Sequence, residues 1–101
     1  MQFLIWGAGA IGGTIGAYLA RAGHEVVFVD RDAAHVAAIN HSGLAITGPI
    51  AEFTSHAQAF TPETIGGQYG AILLCVKAQD TASAMRSLAP HLAPGGYVVS
   101  V

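Results

Sequence analysis

A chain of 101 residues is one domain at most, and at that size it can bury well over half of its unfolded surface without disulfide or metal staples. Hydrophobic residues make up 52% and charged residues 10%, which excludes a disordered chain and points to elements covered on both faces. Four Lys plus Arg against six Asp plus Glu leave a formal net charge of −2, so the footprint of a nucleic-acid or anionic-membrane binder is missing. The single cysteine, Cys75, allows no internal disulfide and no Cys-rich metal site, in keeping with a reducing, cytoplasmic setting.

The uncharged run from Phe3 to Ala20 is as long as a short membrane span and carries GxxxG spacings at Gly9/Gly13 and Gly12/Gly16. Its glycines, polar Thr14 and the lack of a basic leader favour a water-soluble reading instead. Gln2 to Trp6 reads as a first strand, and Ile11, Ile15, Tyr18, Leu19 and Ala22 recur behind it at helical spacing until Gly23. Glu25 to Asp30 is β-branched and nearly all apolar, as expected of a strand buried on both faces of a parallel sheet. Asp32 is placed to cap a second helix carrying Val36 and Ile39, which Gly43 ends. Two short apolar runs between Leu44 and Thr54 flank Gly48-Pro49 and predict a small β excursion with a turn. His56 to Gln68 reads as loop with at most a short helix. Ala71 to Val76 is a buried strand, followed by a helix with Ala82, Met85, Leu88 and Ala89 on one face and limited by Pro90. Pro94-Gly95-Gly96 then turns the chain into a last strand, Tyr97 to Val101. The order predicts an α/β fold, doubly wound, with a mainly parallel sheet and helices on both faces.

The chemistry begins at Gly7-Ala8-Gly9-Ala10-Ile11-Gly12. In a GxGxxG turn of the Rossmann type the first Gly permits the tight turn, the second lets backbone approach a pyrophosphate, and the third lets the helix lie close on the sheet. The competing reading is a glycine turn with no ligand. The flanking strand, the following helix and Asp30, 18 positions after Gly12, meet the context that dinucleotide binding requires. Asp30 can accept both adenine-ribose hydroxyls of NAD and repels a 2′-phosphate, whereas Arg31 can pair with that phosphate or be a solvated loop charge. Lys77 follows the buried strand at its carboxyl end, where it projects into the ligand crevice or snorkels over the strand end. Asp80 and Thr81 read as helix caps and Cys75 as an inert core thiol. The five histidines, at 24, 35, 41, 56 and 91, read as surface or loop residues, and no metal is assigned.

The segments FLIWGAGAIGGTIGAYLARAGHEVVFVDRD, HSGLAIT, AILLCVKAQDT and PHLAPGGYVVSV together resemble the N-terminal domain of ketopantoate reductases (2-dehydropantoate 2-reductases) over the whole chain. The glycine motif is common to many dehydrogenases; Val76-Lys77-Ala78-Gln79-Asp80-Thr81 and Ser42-Gly43-Leu44 are more specific. The resemblance implies that Gly7 to Gly12 hold the pyrophosphate and that Lys77 contacts the nicotinamide side near the substrate carbonyl. It also implies that Arg31 is the usual 2′-phosphate arginine. Asp30 stands where the family usually has a small residue, so Asp30 leans to NAD(H) and the resemblance to NADP(H). In the family a QNG-type segment follows the last strand, and an all-helical C-terminal domain supplies the catalytic lysine and an acidic residue; neither occurs up to Val101. Residues 1–101 are therefore expected to be a dinucleotide-binding domain without a catalytic residue of its own. The full-length enzyme would reduce a branched 2-oxo acid to a 2-hydroxy acid, a step of pantothenate biosynthesis, with the dinucleotide and that small substrate as partners and no nucleic acid or membrane. Two other readings stay open: the cofactor domain of another 2- or 3-hydroxy-acid dehydrogenase, and a nucleotide-sensing module of potassium transport.

Overall fold

The computed structural model describes residues 1–49 and 51–101. In chain order the elements are β1 (Gln2–Trp6), α1 (Ala10–Arg21), β2 (Glu25–Val29), α2 (Ala33–Ser42), β3 (Leu44–Ile46), β4 (Phe53–Ser55), β5 (Gln58–Phe60), β6 (Tyr69–Leu74), α3 (Thr81–Leu88) and β7 (Leu92–Ser100). Five strands form one sheet in the order β5-β2-β1-β6-β7, and every pairing in it is parallel. The chain builds outward from β1 through β2 to β5, then returns to place β6 on the other side of β1. All five strands therefore end at one edge, and the order reverses between β1 and β6, where sheets of this kind bind ligands.

Alternation along the strands divides the core. Leu4, Trp6, Ile72 and Leu74 pack on one side with Ala84 and Leu88 of α3, while Ile5, Val26 and Phe28 pack on the other with Val36 and Ile39 of α2. Helices thus cover both faces, as the composition required. No helix of the described residues is long and apolar enough to cross a membrane.

Only part of the apolar pattern of the first helix faces the core: Leu19 packs against it, but Ile11, Tyr18 and Ala22 do not. Gly12, Gly13, Gly16 and Ala17 are its buried residues, whereas Ile11 is 64% and Tyr18 38% exposed. The reason is distance: a Cβ on Gly16 would meet the Phe28 ring, and one on Gly12 the carbonyl oxygen of Gly7, so only a face of small residues lets α1 lie this close to the sheet. In α3 the expected face is corrected likewise. Ala84 and Leu88 are buried, Met85 is 41% exposed, and Ala82 and Ala89 face outward. The helix is only eight residues long, and one i, i+4 pair is all it needs to cover Ile72 and Leu74.

Asp32 caps α2 as expected, its Oδ1 accepting from the amides of Ala34 and His35, and Gly43 ends that helix at φ 81°. The β excursion is the antiparallel pair of β3 and β4; Ile50, in its second apolar run, lies outside the described residues. The segment from His56 to Gln68, read as loop, contains β5, a strand of the main sheet. Asn40 of α2 completes it, accepting from the Ala59 amide at 2.9 Å and donating to the Ala59 carbonyl at 2.8 Å. β6 starts at Tyr69 and ends at Leu74, shifted two residues from the expected run, and β7 starts at Leu92, before the Pro-Gly-Gly segment. That segment is absorbed as a register shift in the β6–β7 ladder.

Candidate functional site

At the carboxyl edge of β1, Gly7 turns the chain at φ 105°, its amide donating to the Val29 carbonyl at 2.7 Å. A Cβ there would stand 2.5 Å from the Cys75 carbonyl oxygen and be strained by φ as well, so the turn between β2 and β6 admits only glycine. Gly9 precedes α1 in extended conformation, and no side chain caps the helix. The first intrahelical bond runs from the Gly13 amide to the Gly9 carbonyl. The amides of Ala10, Ile11 and Gly12 are thus left at the positive end of the helix. A Cβ built on Gly9 meets nothing within 4 Å: the space over the turn is open, as a group approaching the backbone requires.

Over this turn lies a cavity of about 490 Å³ lined, among others, by Gly7, Gly9, Ala10, Ile11, Asp30, Arg31 and Lys77. That size is within the range of small-molecule sites. Two of the residues singled out in the sequence stand behind the wall. Ala8 is 1% exposed, and Gly12 is buried against the Gly7 carbonyl.

Asp30 follows β2 and uses both carboxylate oxygens. Oδ2 accepts the Ala8 amide at 2.9 Å and Oδ1 the Asp32 amide at 2.9 Å, which ties the glycine turn to the start of α2. Arg31 reaches across the mouth of the cavity to Asp80, with Nη1–Oδ1 and Nη2–Oδ2 distances of 3.4 and 3.3 Å. Asp80, expected to cap α3, makes no side-chain bond to it. Lys77 lies three residues past β6 rather than at its end, and it is exposed. Among the described residues the one ion pair is Arg31–Asp80, so Lys77, which lines the cavity, carries an unpaired charge. Cys75 is half-buried, and burial pushes its thiol above the ordinary value, which keeps it in the unreactive protonated form. No cluster of His, Cys, Asp or Glu among the described residues could hold a metal.

Sequence reasoning missed two participants. His35, read as a surface or loop residue, is half-buried and places Nε2 2.8 Å from the Ala8 carbonyl oxygen, and Asp80 joins the cavity wall. Both contacts link residues far apart in the chain, and no local pattern announces them.

Over residues 3–101 the chain matches the family described as ketopantoate reductase PanE/ApbA. It is 40% identical over 103 residues to a 2-dehydropantoate 2-reductase of Pyrococcus abyssi, a match covering 100% of this chain and 32% of that protein. A PanE/ApbA family ketopantoate reductase from Ralstonia eutropha JMP134 superposes with a TM-score of 0.87 at 37% identity, covering 97% of this chain and 33% of that one. The ternary structure of D-mandelate dehydrogenase with NADH and anilino(oxo)acetate gives a TM-score of 0.92 at 26% identity over 100% of this chain and 33% of that one. The chain thus spans about a third of the length of these relatives. The match over residues 3–101, with these identities, shows the family: the chain belongs to the PanE/ApbA ketopantoate reductases.

Proposed function

We propose that residues 1–101 are the dinucleotide-binding domain of a reductase that converts a 2-oxo acid to a 2-hydroxy acid, and that the cavity over the glycine turn holds the nicotinamide cofactor. One observation carries this reading: the turn, the open end of α1, Asp30 and Lys77 all border a single cavity where the strand order reverses. When bound, the cofactor supplies the hydride. The chain's own groups would position it. The free amides at the start of α1 face the pyrophosphate with the helix's positive end, and the space beside Gly9 admits it. Asp30, already fixed by two amides, keeps lone pairs for ribose hydroxyls. Lys77 lines the same cavity, and its ammonium would sit beside the nicotinamide and the substrate carbonyl, a cation where negative charge develops.

Relatives three times as long, among them a dehydrogenase bound to NADH and anilino(oxo)acetate, support a further domain that completes the active site with a proton donor. They also favour this reading over a potassium-transport sensing module. The carboxylate of Asp30 beside the ribose supports NADH being used at least as well as NADPH, because a 2′-phosphate there meets a like charge.

The test is Lys77→Ala in the full-length protein that carries this chain. The expected outcome is a fall in kcat/KM of at least about tenfold, or about 1.4 kcal/mol of transition-state stabilisation, with the thermal midpoint unchanged. Unchanged kinetics with a lowered midpoint would show that Lys77 only covers the end of β6.

A further inference from the structure

We propose that Asp80 sets the nucleotide preference of this site by occupying Arg31, an inference that rests on the dinucleotide reading above. The two residues are 49 apart in sequence and come from opposite sides of the crevice: Arg31 follows β2, on one flank of β1, and Asp80 precedes α3, beyond β6 on the other flank. They meet fork to fork, with both nitrogen–oxygen pairs at 3.3–3.4 Å, and both line the cavity. The helix start does not account for Asp80, since its carboxylate bonds none of the first amides of α3. Its one polar partner among the described residues is Arg31.

The consequence is a competition for one guanidinium. A 2′-phosphate needs the same two-pronged donor that Asp80 already engages, because phosphate and carboxylate are the anions this fork fits. NADPH must therefore displace the Asp80 carboxylate and then lie beside it, with Asp30 on the near side adding a second like charge. NADH carries a hydroxyl in place of the phosphate and leaves the Arg31–Asp80 bridge intact. The pair is exposed, 77% at Arg31 and 25% at Asp80, and weak in itself; its effect is on which anion the guanidinium is free to meet. Asp30 discriminates by direct repulsion, and Asp80 discriminates through Arg31.

The experiment is a fluorescence titration of NADH and NADPH into the full-length protein, as wild type, Asp80→Asn, Arg31→Ala and the double variant, with Asp80→Ser as a second substitution. Releasing Arg31 should lower the ratio of the NADPH to the NADH dissociation constant by about fivefold or more in both Asp80 variants, and Arg31→Ala should abolish that change. An unchanged ratio in folded Asp80→Asn and Asp80→Ser overturns the proposal. So does a shift that persists with Arg31→Ala, because the carboxylate would then be repelling the phosphate without the arginine. Binding of neither nucleotide by the wild type is a different result: it removes the cofactor reading itself, and this inference with it.

Discussion

Ala8 contributes only a methyl group, yet both of its backbone polar groups are held by side chains of the next βα unit. Its amide donates to Asp30, Asp30 accepts from the Asp32 amide, Asp32 accepts from the His35 amide, and His35 Nε2 returns to the Ala8 carbonyl. A carbonyl only accepts, so His35 must carry its hydrogen on Nε2. This closed circuit makes the glycine turn and the start of α2 one rigid unit. It also leaves neither polar group of Ala8 for a phosphate, which passes that role to the amides further along the turn. Leucine at position 35 would leave a part-buried carbonyl unpaired, and His35→Leu is expected to lower stability by about 1–3 kcal/mol. His35→Gln, with an amide donor of similar reach, should recover most of that in urea unfolding; equal losses in both variants would mean that the imidazole acts by packing instead. Nothing local marked His35 or Asp80, since what each binds is fixed by topology. The positions of the glycine turn and Asp30 were legible because each directly follows a strand of one βα unit.

Among the elements, α1 shows where pattern and packing part company. Periodicity picked out Ile11, Ile15, Tyr18, Leu19 and Ala22; Leu19 packs against the core, but the helix docks mainly by its glycines, and Ile11 instead joins the cavity wall. Hydropathy rewards size, whereas a helix seated this close to Ile5 and Phe28 requires its absence. Gly16→Ala tests this directly. Alanine improves helix propensity by about 1 kcal/mol, but its methyl would press on Phe28, which is 0% exposed and has no room to move. Overpacking of this kind costs about 1–3 kcal/mol, so a net loss of up to about 2 kcal/mol in urea unfolding is expected; a more stable variant would show that α1 can lift off the sheet. β5 escaped notice for a different reason. Three residues with one buried alanine make no apolar run, and what holds them is the β2 ladder and the Asn40 amide, both remote in sequence.

At the scale of the whole molecule, strands that share a direction bring their carboxyl ends to one edge, and the return of the chain from β5 to β6 opens a crevice there. The alternation of strand and helix makes this plan legible in the sequence, because a parallel sheet covered on both faces demands nearly continuous apolar strands. The contents of the crevice were legible only in part. Residues directly following a strand, Gly7 and Asp30, could be placed from the sequence, while the three-residue extension from Leu74 to Lys77 and the bridge over the mouth could not. The open floor of this crevice would receive the dinucleotide, and Gly9 separates that binding from the needs of the fold: a methyl there touches nothing in the protein but stands where the pyrophosphate would lie. The most direct measurement is NADH titration of wild type and Gly9→Ala, with unfolding followed in parallel. Binding by the wild type, and a variant within about 1 kcal/mol of its stability that binds at least about tenfold more weakly, are the expected results. A wild type that binds neither NADH nor NADPH, or a Gly9→Ala variant that binds as tightly as the wild type, would mean that the dinucleotide does not lie over this turn.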